Sequence, residues 1–182
     1  MVNIMAFKGW EKIDQLVESN EELTGERKIG KNLQLVKAVA PVIISASRST
    51  DIPAFYADWF ISRLRKGYVK WINPHNQQPQ YISFIKTRVI VFWSKNPKNI
   101  MKYLPEIDSR KINYYFQFTL NDYEDEHLEP NISPLDERIS TFIELSNKLG
   151  KDRVIWRFDP LILSDNLSID TLINKIKNVG DR

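Results

Sequence analysis

The sequence predicts an α/β fold: a partial, incomplete TIM-like β/α barrel with parallel strands, preceded by a short N-terminal extension. Three observations carry this. From Pro41 onward, short apolar runs alternate with segments whose apolar residues recur every three or four positions, as strands exchanging with amphipathic helices do. Along the strand candidates, polar residues gather on one face near the C-terminal end, where α/β sheets and barrels build their sites. A length of 182 residues, 42% of them hydrophobic, suits a single sizeable core.

Residues 1–40, with WEKI, GERKIGKNLQL and KAVAP, read as short extended pieces and turns and form the extension; residues 41–182 form the barrel portion. Strands are predicted at VIISAS (42–47), YVKWIN (68–73), RVIVFWS (88–94), YYFQFTL (114–120) and VIWRFDPLIL (154–163), with YISF (81–84) as a shorter sixth. The helices between them carry apolar stripes: Phe55, Trp59, Phe60 and Leu64; then Ile100, Met101, Leu104 and Ile107; then Leu135, Ile139, Phe142, Ile143 and Leu149. Stripes of this kind face a core. Ser168 caps a last helix with Ile169, Leu172, Ile173 and Ile176 on its apolar side. In a β/α array a glycine after a helix, such as the one in the NVGDR that follows, usually hands the chain to a next strand, and none follows here.

The net charge of +3 hides an uneven distribution. Residues 1–40 balance to 0, residues 41–120 to +8 and residues 121–182 to −5. A basic middle attracts acidic ligands, so the expected partners are an anionic small molecule or a nucleic acid, the latter stacking on exposed aromatics such as Tyr68 and Trp71. The same lysines and arginines would equally serve to solvate outer helix faces. The acidic DYEDEHLE (122–129) reads as a solvated loop.

Zero cysteines exclude disulfides, thiolate zinc, a cysteine nucleophile and an iron–sulfur cluster ligated by this stretch alone. His75 and His127 are too few for an all-histidine metal site, and no metal is expected. The chain has no glycine-rich phosphate loop, no HExxH and no nucleophile with a base at motif spacing. No run approaches the roughly 18–20 apolar residues of a membrane span. Met1 to Lys8 lacks a signal pattern, so the expected location is the cytoplasm.

Candidate site residues follow from strand alternation. In RVIWRFDPLILSD, Ile155, Arg157 and Asp159 share one face, while Val154, Trp156 and Phe158 share the other. The face of Arg157 matches those of Ser45 and Ser47, of Trp93 and Lys95, and of Gln117, Thr119 and Asn121; the opposite faces carry Val42, Ile44, Ile90, Phe92, Phe116 and Phe118. Burying an unpaired charge costs on the order of several kcal/mol, so Lys95, Arg157 and Asp159 must pair with one another, with Asp51 or with a ligand. Two cations facing one anion, with Arg48 adding to the excess, suit a carboxylate or phosphate. A closed internal network that binds nothing would satisfy the same charges. In SASRSTDIPAFY (45–56), Thr50 or Asp51 can cap a helix, whereas Arg48 has no such local duty. Asn73 in NPHN and Asn96 in SKNP stand in turns after strands and within reach of a ligand there.

SASRSTDIPAFYADWF, VFWSKNP, INYYFQFTLNDY, LEPN and RVIWRFDPLIL, together with an NPxN, resemble a bacterial family known only as domain of unknown function eighteen-forty-eight, from about Trp10 to Gly180. Full-length members carry CxxxCxxC near their C-terminus and look like radical S-adenosylmethionine enzymes of the spore photoproduct lyase type. The resemblance implies a partial or full β/α barrel, with a [4Fe-4S] cluster and S-adenosylmethionine as cofactors of full-length members and none held within this chain, which would be the N-terminal part of such a barrel, truncated before the cysteine region and inactive alone; the alternatives are a nucleic-acid-binding module using residues 41–120 or a truncated non-catalytic relic. Carried onto matching positions, it places Arg48, Asp51, Asn73, Lys95, Asn96, Gln117, Arg157 and Asp159 at the barrel mouth, where Lys95 and Arg157 would bind an anionic group; no catalytic role is assigned to any of them.

Overall fold

A computed structural model describes residues 4–6, 10–16, 33–46, 50–73 and 76–182. In chain order the elements are β1 (Ile4–Ala6), β2 (Trp10–Leu16), β3 (Leu33–Val39), β4 (Ile43–Ala46), α1 (Ile52–Phe55), α2 (Ala57–Lys66), β5 (Tyr68–Ile72), β6 (Pro79–Ser83) and β7 (Val89–Ser94). Then follow α3 (Lys98–Met101), α4 (Leu104–Ser109), β8 (Asn113–Thr119), α5 (Leu135–Leu149), β9 (Val154–Arg157) and α6 (Ile169–Gly180).

These strands form two sheets. The first has the order β1-β4-β7-β8-β9, with β4, β7, β8 and β9 parallel and β1 antiparallel to β4. The second has the order β2-β3-β6-β5, in which only β3 and β6 run parallel. The fold is mixed α/β with parallel strands, and among the described residues neither sheet closes on itself.

The 68–73 and 81–84 segments are strands, but they leave the parallel array. They form an antiparallel hairpin whose turn is held by Asn73 N–H to Gln78 O (3.0 Å) and Gln77 N–H to Asn73 O (2.8 Å). A connection this short can only join antiparallel neighbours, whereas parallel ones need a crossover of roughly a dozen residues. Gly67 turns the chain from α2 into β5 at φ +85°, a left-handed conformation that glycine adopts without strain.

The predicted apolar face is the core. Ile44, Ile90, Phe92, Phe116 and Phe118 have no exposure, and the rings of Phe92 and Phe116 stack 5.1 Å apart. Phe60 of α2 meets Phe92 edge-on at 5.6 Å and Phe84, just past β6, at 6.3 Å, so one helix ties the two sheets into a single apolar cluster. Ser168 caps α6 by accepting from Thr171 N–H at 3.2 Å.

Four expectations need correction. The strand predicted over 154–163 ends at Arg157, because Pro160 has no N–H to offer a ladder, and Leu161 and Leu163 are exposed. Val42 precedes its strand and is half-exposed rather than core. Of the predicted helix stripes, Phe55 is 76% exposed, since the break at Tyr56 between α1 and α2 takes it off the stripe, and Ile143 of α5 and Ile169 and Ile173 of α6 are exposed as well. Tyr68 is buried and Trp71 packs partly against the core, so neither is an open stacking platform.

Candidate functional site

The register of β7, β8 and β9 sets Trp93, Gln117 and Ile155 level with one another, and Thr119 level with Arg157 one step later. All five side chains lie on the face opposite the buried phenylalanines, and all are at least partly exposed. Lys95 follows β7 directly. The Arg157 guanidinium lies 4.5 Å from the centre of the Trp93 ring, and its Nη2 donates to Asp159 Oδ2 at 2.9 Å. The two charges of the RFDP segment, Arg157 and Asp159, are therefore partly exposed and paired with each other rather than buried in mid-strand.

Asp51 connects the first strand–helix junction to this row. Its Oδ1 accepts from Ala54 N–H at 2.9 Å and caps α1; its Oδ2 accepts from Ser94 Oγ–H at 3.0 Å and from Lys95 N–H at 2.8 Å. Burial pushes its carboxyl above the usual carboxylate range, and these donors oppose the shift. Ser94 also accepts from Asn96 N–H (3.0 Å), and Asn96 reaches Ser133 Oγ (3.4 Å) and Lys98 N–H (3.3 Å).

The Lys95 ammonium pairs with Glu129. Burial, and next the positive charge of Arg138, hold it below the ordinary lysine range, while Asp159 and Asp51 pull the other way. Arg138 is only 2% exposed. Its Nε donates to Ser133 O (2.8 Å) and its Nη1 to Asn121 O (2.8 Å), while Asn121 Nδ2 donates to Asp159 O (3.3 Å). Burial lowers the pKa of the guanidinium, with Glu124 and Asp122 opposing.

The structure thus gathers Asp51, Lys95, Asn96, Gln117, Arg157 and Asp159 at the C-terminal end of one sheet. Asn73 stands instead in the hairpin turn of the other sheet, and Arg48 lies outside the described residues. Ser94, Glu129 and Arg138 were missed. Arg138 had a signal: it precedes Phe142 by four positions and Leu145 by seven, on the buried stripe of α5, where a cation is out of place. The 122–129 segment is also more than a solvated loop. Tyr123 is buried in it, Glu124 accepts from Leu135 N–H at the start of α5, and Glu129 holds Lys95.

A parallel sheet whose strand ends carry ammonium, guanidinium, carboxylate and amide groups defines the class: a mixed α/β protein with a polar candidate site at the strand ends. The family model that matches residues 43–182 is described as a domain of unknown function (DUF1848), and the chain belongs to that family. No curated protein and no solved structure matches it. Among the described residues, no helix is long and apolar enough to cross a membrane.

Proposed function

We propose that the C-terminal ends of β7, β8 and β9 bind an anionic group of a small molecule, and that their sheet is a wall of an incomplete β/α barrel of the radical S-adenosylmethionine type, working in the cytoplasm. The observation that supports this most is that Lys95, directly after β7, Gln117 of β8 and Arg157 of β9 stand near the C-terminal ends of three adjacent parallel strands and are all partly exposed. In this reading Lys95 and Arg157 take the anion, Asp159 orients Arg157, and Gln117 positions the remainder of the ligand.

The chain's own residues do not fit the cluster that the family resemblance implies. A [4Fe-4S] cluster is held by thiolates, and this sequence has no cysteine. Nor do the described residues include a group of three or more His, Asp or Glu side chains arranged to hold a metal. No chemical step is therefore derived through a cluster, and no residue is assigned to S-adenosylmethionine.

Calorimetric titration of the chain with inorganic phosphate at low ionic strength tests the site. Saturable binding is expected, weakened about tenfold by Arg157→Ala and likewise by Lys95→Met. Absence of binding, or binding that neither variant alters, overturns the proposal.

A further inference from the structure

Beside this row lies a cleft of about 230 Å³, roofed by the segment between β8 and α5 and lined by residues that include Tyr123, Glu129, Ile132, Pro134 and Arg138. Its polar groups are incompletely matched. Arg138 spends Nε and Nη1 on backbone carbonyls, but its Nη2 is buried without a hydrogen-bond partner, and Glu124 Oε1 lies 4.0 Å away, beyond bonding distance. Glu129 gives one oxygen to Lys95, and its other, Oε2, is also buried without a partner. A buried donor or acceptor left unmade costs about 1–3 kcal/mol, more when charged, so both atoms favour an occupant that completes them.

The two atoms that lack a hydrogen-bond partner have opposite character, with Glu124 Oε1 the ion-pair neighbour of Arg138 Nη2 at 4.0 Å. Arg138 Nη2 asks for an anionic acceptor, and Glu129 Oε2 asks for a cationic donor. A simple anion satisfies the first and is repelled by the second. The rest of the wall joins an apolar part, from Tyr123, Pro130, Ile132 and Pro134, to the polar Glu124 and His127. The volume is below the roughly 300–1,000 Å³ typical of drug-sized ligands.

We propose that this cleft seats the head group of a free α-amino acid, its carboxylate on Arg138 Nη2, its ammonium on Glu129 Oε2, and an apolar side chain against Tyr123 and Ile132. The site goes beyond the strand-end site proposed above: it adjoins that site through the Lys95–Glu129 pair and does not use Arg157 or Gln117.

The test is calorimetry of the full chain with L-leucine and L-phenylalanine, and with two leucine analogues: 4-methylpentanoate, which lacks the amine, and 3-methylbutylamine, which lacks the carboxylate. At least one of the amino acids is expected to bind, with either analogue weaker than leucine by about tenfold or more. Glu129→Gln, at a partly exposed side chain, is expected to weaken leucine while 4-methylpentanoate binds at least as tightly as before, since the repelling carboxylate is gone, and circular dichroism checks that it folds. Arg157→Ala should leave leucine binding intact, which separates this site from the phosphate site. No heat from either amino acid, or 4-methylpentanoate binding as tightly as leucine, overturns the proposal.

Discussion

At the scale of single residues, Lys95 is the informative group. It shares a partly buried position with a carboxylate partner, Glu129, and with a second cation nearby, Arg138. Because its folded-state pKa lies below the unfolded value, the charged form carries a penalty at neutral pH. That penalty is relieved as pH rises from the folded toward the unfolded pKa, so Lys95 by itself adds stability on the alkaline side. Reductive methylation with a ¹³C label and NMR titration should give Lys95 a midpoint below the ordinary 10.5; a midpoint at or above it would mean that Glu129 outweighs burial. Lys95, Gln117 and Arg157 were legible in the sequence because strand alternation alone assigns their face. The partners of Lys95 were not: Glu129 and Arg138 come from a loop and a helix, and period-2 arithmetic says nothing about which loop folds over which strand end.

At the scale of elements, α5 and α6 share a device. Each carries one cation on its buried stripe, Arg138 and Lys175, and each sends it to the 121–129 segment. Burial alone would lower the Lys175 ammonium, but Asp125, Asp122 and Glu126, at 3.2, 3.8 and 3.3 Å, raise it above the ordinary lysine range. A raised lysine contributes stability that is present below its unfolded pKa and lost as pH climbs through the folded one. Lys175→Met should therefore cost about 2 kcal/mol at neutral pH, and the gap to the wild type in urea unfolding should narrow above the lysine range. A gap independent of pH would assign the loss to packing. The apolar periodicity of 3.6 located these helices from sequence, because burial of a stripe is what makes a helix in a folded chain. It could not tell that the hairpin of β5 and β6 leaves the parallel sheet, since strand patterning is the same in both. The spacing between YVKWIN and YISF, too short for a crossover, is the sequence feature that makes the distinction.

At the scale of the molecule, the question is whether two sheets with separate hydrogen-bond ladders behave as one cooperative unit. Val69 and Ile82 of the four-stranded sheet belong to the same apolar cluster as Ile44, Ile90 and Phe116 of the five-stranded one, and the fully buried ring of Phe60 touches aromatic neighbours on both sides. Removing that ring leaves a cavity between the sheets, which neither can fill by collapsing on its own side. Phe60→Ala should cost about 3–5 kcal/mol. In native-state hydrogen exchange the amides of Val69 and Ile82 should lose protection by the same increment as those of Ile90 and Phe116, since all open through one transition. If the hairpin amides lose protection while Ile90 and Phe116 keep theirs, the four-stranded sheet is a separately unfolding layer. The strand-end site would then rest on the parallel sheet and its own helices alone.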